Sequence, residues 1–406
     1  MSTADFLRSN ARWLSTGALL TFLSCFGQTF FISLFAGEIQ RTFDLSSGDW
    51  GLIYAFGTLA SAAVMVWAGS LTDRFRTRHL GIAVLVGLAA SCLLMATNTF
   101  VSLLVISIFL LRLFGQGMAS HTAIVAMSRW FVATRGRALA VCALGFTVGE
   151  SLFPILFVSL LDIINWRLLW VIAAFIALAG IPLLAVLLRT ERHPRQVAEE
   201  TQSVGMDDKH WSRSEVLRHP LFWFMIPALL GPSAFNTAFF FHHVHFAELK
   251  SWSHIALVAF FPVYTVSAVG AMIASGRALD AFGTARLLPF YQLPVVVAFI
   301  AFSFATGFTG LVLGLFFLAL TSGANSTLPN AFWAEFYGTK NLGSIKSMAT
   351  AIMVLGSAIG PGVTGFFIDQ GVGLETQFLF VAGFFVLTTL FMWMGIRLYR
   401  DRRKYT

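Results

Sequence analysis

Two side chains stand out first for their chemistry. Arg112 and Glu150 each sit inside an otherwise apolar stretch, "LVISIFLLRLFGQGMASH" and "ALGFTVGESLFPILF". A full charge removed from water is costly, so such a residue is kept where it pairs, binds a charged solute or handles a proton. Both lie at similar depth in their stretches, so an Arg112–Glu150 ion pair is expected, available for proton coupling or for a solute's charge. Polar groups at mid-depth elsewhere are Gln28, Tyr54, Asn236, Tyr264 and Asn325, with Phe31 and Phe235 beside them. Amides among aromatic rings suit a flat or partly apolar organic solute. The expected substrate-binding set is therefore Gln28, Phe31, Tyr54, Arg112, Phe235, Asn236, Tyr264 and Asn325.

Other chemistry is weaker. "FFFHHVHF" brings His242, His243 and His245 together, a pattern that invites a metal ion. No Met-x-x-Met or His-x-x-x-Met pattern accompanies it, so an outer gate or pH-sensitive rim is the better reading and no metal site is assigned. His121 is expected to be hydrogen-bonded scaffolding. Cys25, Cys92 and Cys142 lie in apolar runs without ligand spacing and read as packing residues. The chain has no Gly-x-x-x-x-Gly-Lys-Ser/Thr, His-Glu-x-x-His or Gly-x-Ser-x-Gly motif, which argues against ATP drive and against an enzyme. Neither catalytic residues nor a cofactor are expected.

The elements that must position these residues are apolar helices. The composition is 57% apolar and 11% charged, against about a quarter charged in soluble domains. Twelve spans are predicted near 13–37, 50–71, 80–97, 101–128, 138–161, 168–188, 221–246, 254–275, 286–305, 308–333, 344–367 and 377–397. The start, "MSTADFLRSNARW", precedes a long apolar run without a small-residue cleavage site, so the first run reads as a retained span. The net charge of +8 could suggest nucleic acid, but 23 of the 27 Lys and Arg fall on one side of these spans. Only Arg41, Arg167 and Lys250 fall on the other. That bias sets orientation: both termini are expected in the cytoplasm of a multi-pass cell-membrane protein, with lipid and a small solute as partners and no nucleic acid.

The chain also repeats itself. Gly69, Asp73, Gly136, Gly149 and Pro154 recur 207 residues later as Gly276, Asp280, Gly343, Gly356 and Pro361. Two six-span halves, 1–188 and 221–406, follow, joined by a charged linker over 189–220. The linker tail "WSRSEVLRHPLFW" is predicted to form a short helix before span 7. Parallel repeats of this kind suit alternating access around a midplane site.

"GSLTDRFRTR", residues 69–78, resembles the signature loop after the second span of the major facilitator superfamily: Gly69, Asp73, Arg74 and Arg78 match, while Arg76 and Thr77 depart from it. The second copy keeps Gly276, Asp280 and Gly283. "LLRLFGQGMASH" resembles the fourth-span pattern and "GFTVGESLFP" the Gly-rich, Pro-ended fifth-span motif. The resemblance implies an all-helical, twelve-span fold of two pseudo-symmetric bundles, a secondary transporter, and in a bacterium an inner-membrane location and a monomeric state. It further implies a central cavity lined by spans 1, 4, 7 and 10. It implies a gating set on the cytoplasmic side, with Gly69, Asp73, Arg74, Arg135, Gly276 and Asp280, in which Asp73 meets an arginine of the span 4–5 loop (Arg129 or Arg135) or the start of span 11. "SRWFVATRGRALAV" and "AEFYGTKNLGSIKS" resemble the branch of monocarboxylate and oxalate carriers; "FGQTFFISLF" looks like the group with riboflavin and copper importers. The expected function is proton-coupled transport of an organic anion or flavin-like solute. A metal-ion importer and a non-transporting sensor are the alternatives.

Overall fold

The computed structural model describes residues 3–131, 134–190, 204–338 and 340–400, and helices are the regular structure among them. Among the described residues, eleven helices are long and apolar enough to cross a membrane, and twelve if the bent pair Asp5–Gly27 and Thr29–Phe43 is one span. Helix is what an apolar solvent demands, because each backbone donor then finds its acceptor within the segment. Large apolar side chains stand on the outer helix faces; Phe56, Trp67, Val266 and Phe380 are each more than 60% exposed. Water would penalise such a surface and lipid does not.

The chain forms two compact units, Met1–Glu199 and Glu200–Thr406. In the first, Thr3–Ser24 packs along Arg135–Leu161, Ser47–Ala68 along Val101–Leu111, and Thr77–Thr97 along Trp166–Leu187. The second unit makes the same three pairings: Pro220–Phe241 with Leu342–Asp369, Phe261–Phe282 with Phe308–Asn325, and Leu293–Phe304 with Leu374–Arg400. Gly149 and Gly356 show why the repeat recurs in sequence. A Cβ on Gly149 would lie 2.5 Å from Cys25 Sγ, and one on Gly356 2.8 Å from the Leu230 carbonyl. Each lets the fifth helix of its unit approach the first closely.

Of the expected 189–220 linker, residues 191–203 lie outside those described. Thr190 is bonded to Arg12 and Trp13 of the first unit, and residues 204–220 are built onto the second. Trp211 donates its backbone N–H to Tyr337 O (3.3 Å) and accepts from Asn341 Nδ2 (2.9 Å). Its ring packs against His219 and Tyr337. The expected short helix forms over Arg213–Arg218, opened by a capping box between Ser212 and Glu215. Lys209 closes an ion pair on Glu215 at 2.6 Å. These contacts hold the Glu215 carboxyl down at about 2, chiefly through Lys209 and then the Ser212 hydroxyl and N–H.

Two spans of the first unit depart from straight α-helix. Span 1 bends by 45°. Its helix tightens to a 3-10 turn over Cys25–Gly27, and Gln28 is extended (φ −86°, ψ 153°) before Thr29–Ile32. Span 4 is α-helical over Val101–Leu111, π-helical over Arg112–Ala119 and α-helical again over Ser120–Trp130.

Candidate functional site

The two irregular stretches meet. A Cβ on Gly27 would lie 2.1 Å from the Leu111 carbonyl, and one on Gly115 would lie 2.6 Å from Gly27 Cα. Only glycine at both positions permits this backbone-to-backbone contact. The break at Gln28 leaves Gly27 O free of its helical partner, and Arg112, at the first π-helical position, supplies the missing donor. Its Nη1 donates to Gly27 O and to Thr29 Oγ1, both at 3.3 Å. The guanidinium carbon lies 5.4 Å from the centre of the Tyr54 ring, and the Tyr54 hydroxyl is hydrogen-bonded to Thr29. Arg112 is 2% exposed and its Nε is buried without a partner. π-Helical turns of this kind recur at functional sites.

The expected Arg112–Glu150 ion pair does not form. The described partners of the guanidinium are neutral: a carbonyl, a hydroxyl and a ring face. Similar depth in the membrane does not imply the same direction around the helix. Glu150 follows Gly149 on the turn that presses against Phe22 and Cys25, whereas Arg112 faces the Gly27 break and span 2. Phe31, expected in the substrate-binding set, sits in an aromatic cluster instead. It is fully buried among Phe26, Phe35, Phe153, Phe157 and Trp170, with ring centres 4.8–6.0 Å away, and so stiffens the second half of span 1.

The second unit has its own polar node. Asn236 Nδ2 and the Tyr264 hydroxyl both donate to Ser322 Oγ, each at 3.0 Å. Asn236 occupies the repeat position of Thr29. The node therefore joins spans 7, 8 and 10, as the first joins spans 1, 2 and 4. Ser322 and Thr29 were not among the expected site residues, since a lone hydroxyl in an apolar helix is unremarkable; the repeat offset from Asn236 was the usable signal for Thr29. Asn325 belongs to another cluster, accepting from the Tyr291 hydroxyl at 3.1 Å. Phe235 turns to Phe384 and Phe385 of the last span.

His242 Nε2 donates to Pro361 O at 2.9 Å. His243 Nδ1 donates to Phe240 O at 2.7 Å, leaving Nε2 to face His254 Nε2 at 2.9 Å. His254, from the next helix, was not anticipated. Among the described residues no group of three or more His, Cys, Asp or Glu is placed to hold a metal ion.

In the signature loop, Gly69 ends Ser47–Ala68, where a Cβ would lie 3.1 Å from the Met65 carbonyl and 3.4 Å from His121 Nε2. Arg129 donates to Thr72 O at 2.7 Å, so the span 4–5 arginine holds the loop backbone next to Asp73. Arg74 is exposed, and a Cβ on Gly276 would meet nothing within 4 Å among the described residues. The side chains of Asp73, Arg135 and Asp280 lie outside those described.

The profile of the Major Facilitator Superfamily matches residues 17–291 and 263–405. The chain belongs to this superfamily. As a superfamily member it is a multi-pass membrane transporter of small solutes, not an enzyme. It is 25% identical over 398 residues to the hexuronate transporter of Bacillus subtilis (strain 168), covering 88% of each chain. It is 27% identical over 305 residues to monocarboxylate transporter 13 of Rattus norvegicus, covering 74% of this chain and 68% of that one. The crystal structure of the nucleoside transporter NupG superposes with a TM-score of 0.72 at 13% identity, covering 95% of this chain and 99% of the other. That likeness confirms the fold of this superfamily member.

Proposed function

We propose that this transporter moves small organic anions by alternating access, coupled to protons, in a bacterial inner membrane. In this reading it is a monomer with both termini cytoplasmic, and residues 1–188 and 221–406 are the two moving halves. The observation that carries the anionic class is Arg112: a buried guanidinium whose described partners are all neutral. A buried cation left uncompensated is costly, and an arriving carboxylate restores the balance through a charge-assisted hydrogen bond. Two of the relatives, named as a hexuronate carrier and a monocarboxylate carrier, have carboxylate substrates by name, which supports the same class. Gln28 and Tyr54 stand beside Arg112 in this reading, and Asn236, Tyr264 and Asn325 contribute from the second half. Phe31 and Phe235 back them from within. Glu150 carries the coupled proton, and Gly69, Asp73, Arg74, Arg135, Gly276 and Asp280 form the cytoplasmic gate.

The test is thermal stabilisation of the purified protein across carboxylates, riboflavin and copper or zinc salts, followed by uptake into proteoliposomes with and without an imposed pH gradient. Stabilisation by carboxylates that disappears in Arg112→Gln supports the reading. Stabilisation by flavin or metal alone overturns it.

A further inference from the structure

The polar node of the second unit has an unfilled hydrogen-bonding pattern. Ser322 Oγ accepts twice, from Asn236 Nδ2 and from the Tyr264 hydroxyl, both at 3.0 Å. A hydroxyl oxygen has two lone pairs and one proton, so its acceptor capacity is used while its own O–H is directed to no partner among the described residues. Asn236 presents the complementary vacancy: its Oδ1 is buried and unpartnered. One idle donor and one idle acceptor therefore share a single hydrogen-bonded cluster. We infer that the Asn236–Ser322–Tyr264 node is a subsite for an alcohol group of the transported solute.

An alcohol is the simple group that answers both vacancies, accepting from Ser322 and donating to Asn236 Oδ1. A carboxylate accepts only and leaves Oδ1 unpaired; an ammonium donates only and leaves the Ser322 proton unpaired. A methylene satisfies neither. Sites built to hydrogen-bond a hydroxyl reject analogues without it far more strongly than apolar pockets reject an extra methylene. The selected solute is thus a hydroxylated one. Combined with the anionic class proposed above, on which this part rests, the solute is a hydroxycarboxylate.

The test uses three six-membered-ring probes on the full-length protein, with affinity read from thermal stabilisation: glucuronate, cyclohexanecarboxylate and myo-inositol. The expected result is glucuronate at least about tenfold tighter than cyclohexanecarboxylate, a preference lost in Ser322→Ala and regained in Ser322→Thr, which restores the hydroxyl. Binding of inositol without glucuronate would leave the alcohol subsite standing and remove the anionic class. Equal affinity for glucuronate and cyclohexanecarboxylate overturns the subsite, as water would then fill the node. It is equally overturned if Ser322→Ala weakens both carboxylates alike, or if none of the three probes binds.

Discussion

At the scale of single residues, the position of Arg112 is decided by what it replaces. It serves a carbonyl that a helix would have satisfied, and it does so from a π-helical turn. Arg112→Gln is expected to lower carboxylate uptake at least tenfold, because hydrogen bonds to a charged group contribute about 1.5–3 kcal/mol. Arg112→Lys is expected to recover only part, since an ammonium lacks the planar face that lies over the Tyr54 ring and cannot bind a carboxylate through two nitrogens. Uptake of the lysine variant at the native rate would sink this account. Glu150 should act independently of Arg112 in stability. In a double-mutant cycle of Arg112→Gln and Glu150→Gln, thermal unfolding should give a coupling energy below about 0.5 kcal/mol. A larger coupling would restore the ion pair.

At the scale of elements, close helix approach sets which glycines matter. Gly27→Ala places a Cβ 2.1 Å from the Leu111 carbonyl, a contact that backbone must move to relieve. The expected loss is about 1–3 kcal/mol or more, visible as a lower melting temperature in detergent. Gly276→Ala meets open space in a helix and should leave the melting temperature unchanged or slightly raised. If the two variants melt alike, close packing at Gly27 is not a constraint. The linker helix gives a pH test. The Glu215 carboxyl is lowered to about 2 in the folded protein, so its capping contribution is present above the ordinary carboxylate range near ~4.3 and fades as pH falls toward 2. Amide exchange over 212–218 should therefore accelerate, relative to its intrinsic rate, as pH drops from 5 to about 2. In Glu215→Gln the protection should not change with pH.

At the scale of the molecule, each unit makes the same three helix pairings and carries one polar node on its first, second and fourth spans. In the proposed cycle the loop charges serve motion more than folding. Asp73→Asn is expected to insert and melt normally but to slow transport at least tenfold, with Asp280→Asn milder because its loop has fewer basic neighbours. Native transport by Asp73→Asn, with expression matched by immunoblot, would remove the loop from the mechanism.

The division between sequence and tertiary structure follows from what each property depends on. Helix number, the apolar surface and the repeat depend on composition and spacing along the chain, so they were legible from hydrophobic runs and from pairs such as Gly149 and Gly356. Membership of the superfamily was legible too, in Gly69, Asp73 and Arg112. The depth of Arg112 could be counted from the sequence, but not its direction, because which way span 4 faces there is set by its backbone contact with Gly27. Its true partners come from a carbonyl freed at Gln28 and a ring on another span, and neither leaves a mark in side-chain type. Ser322 was hidden for the same reason. A hydroxyl in an apolar helix is ordinary until two donors from separate helices converge on it, and only the folded bundle brings Asn236 and Tyr264 there.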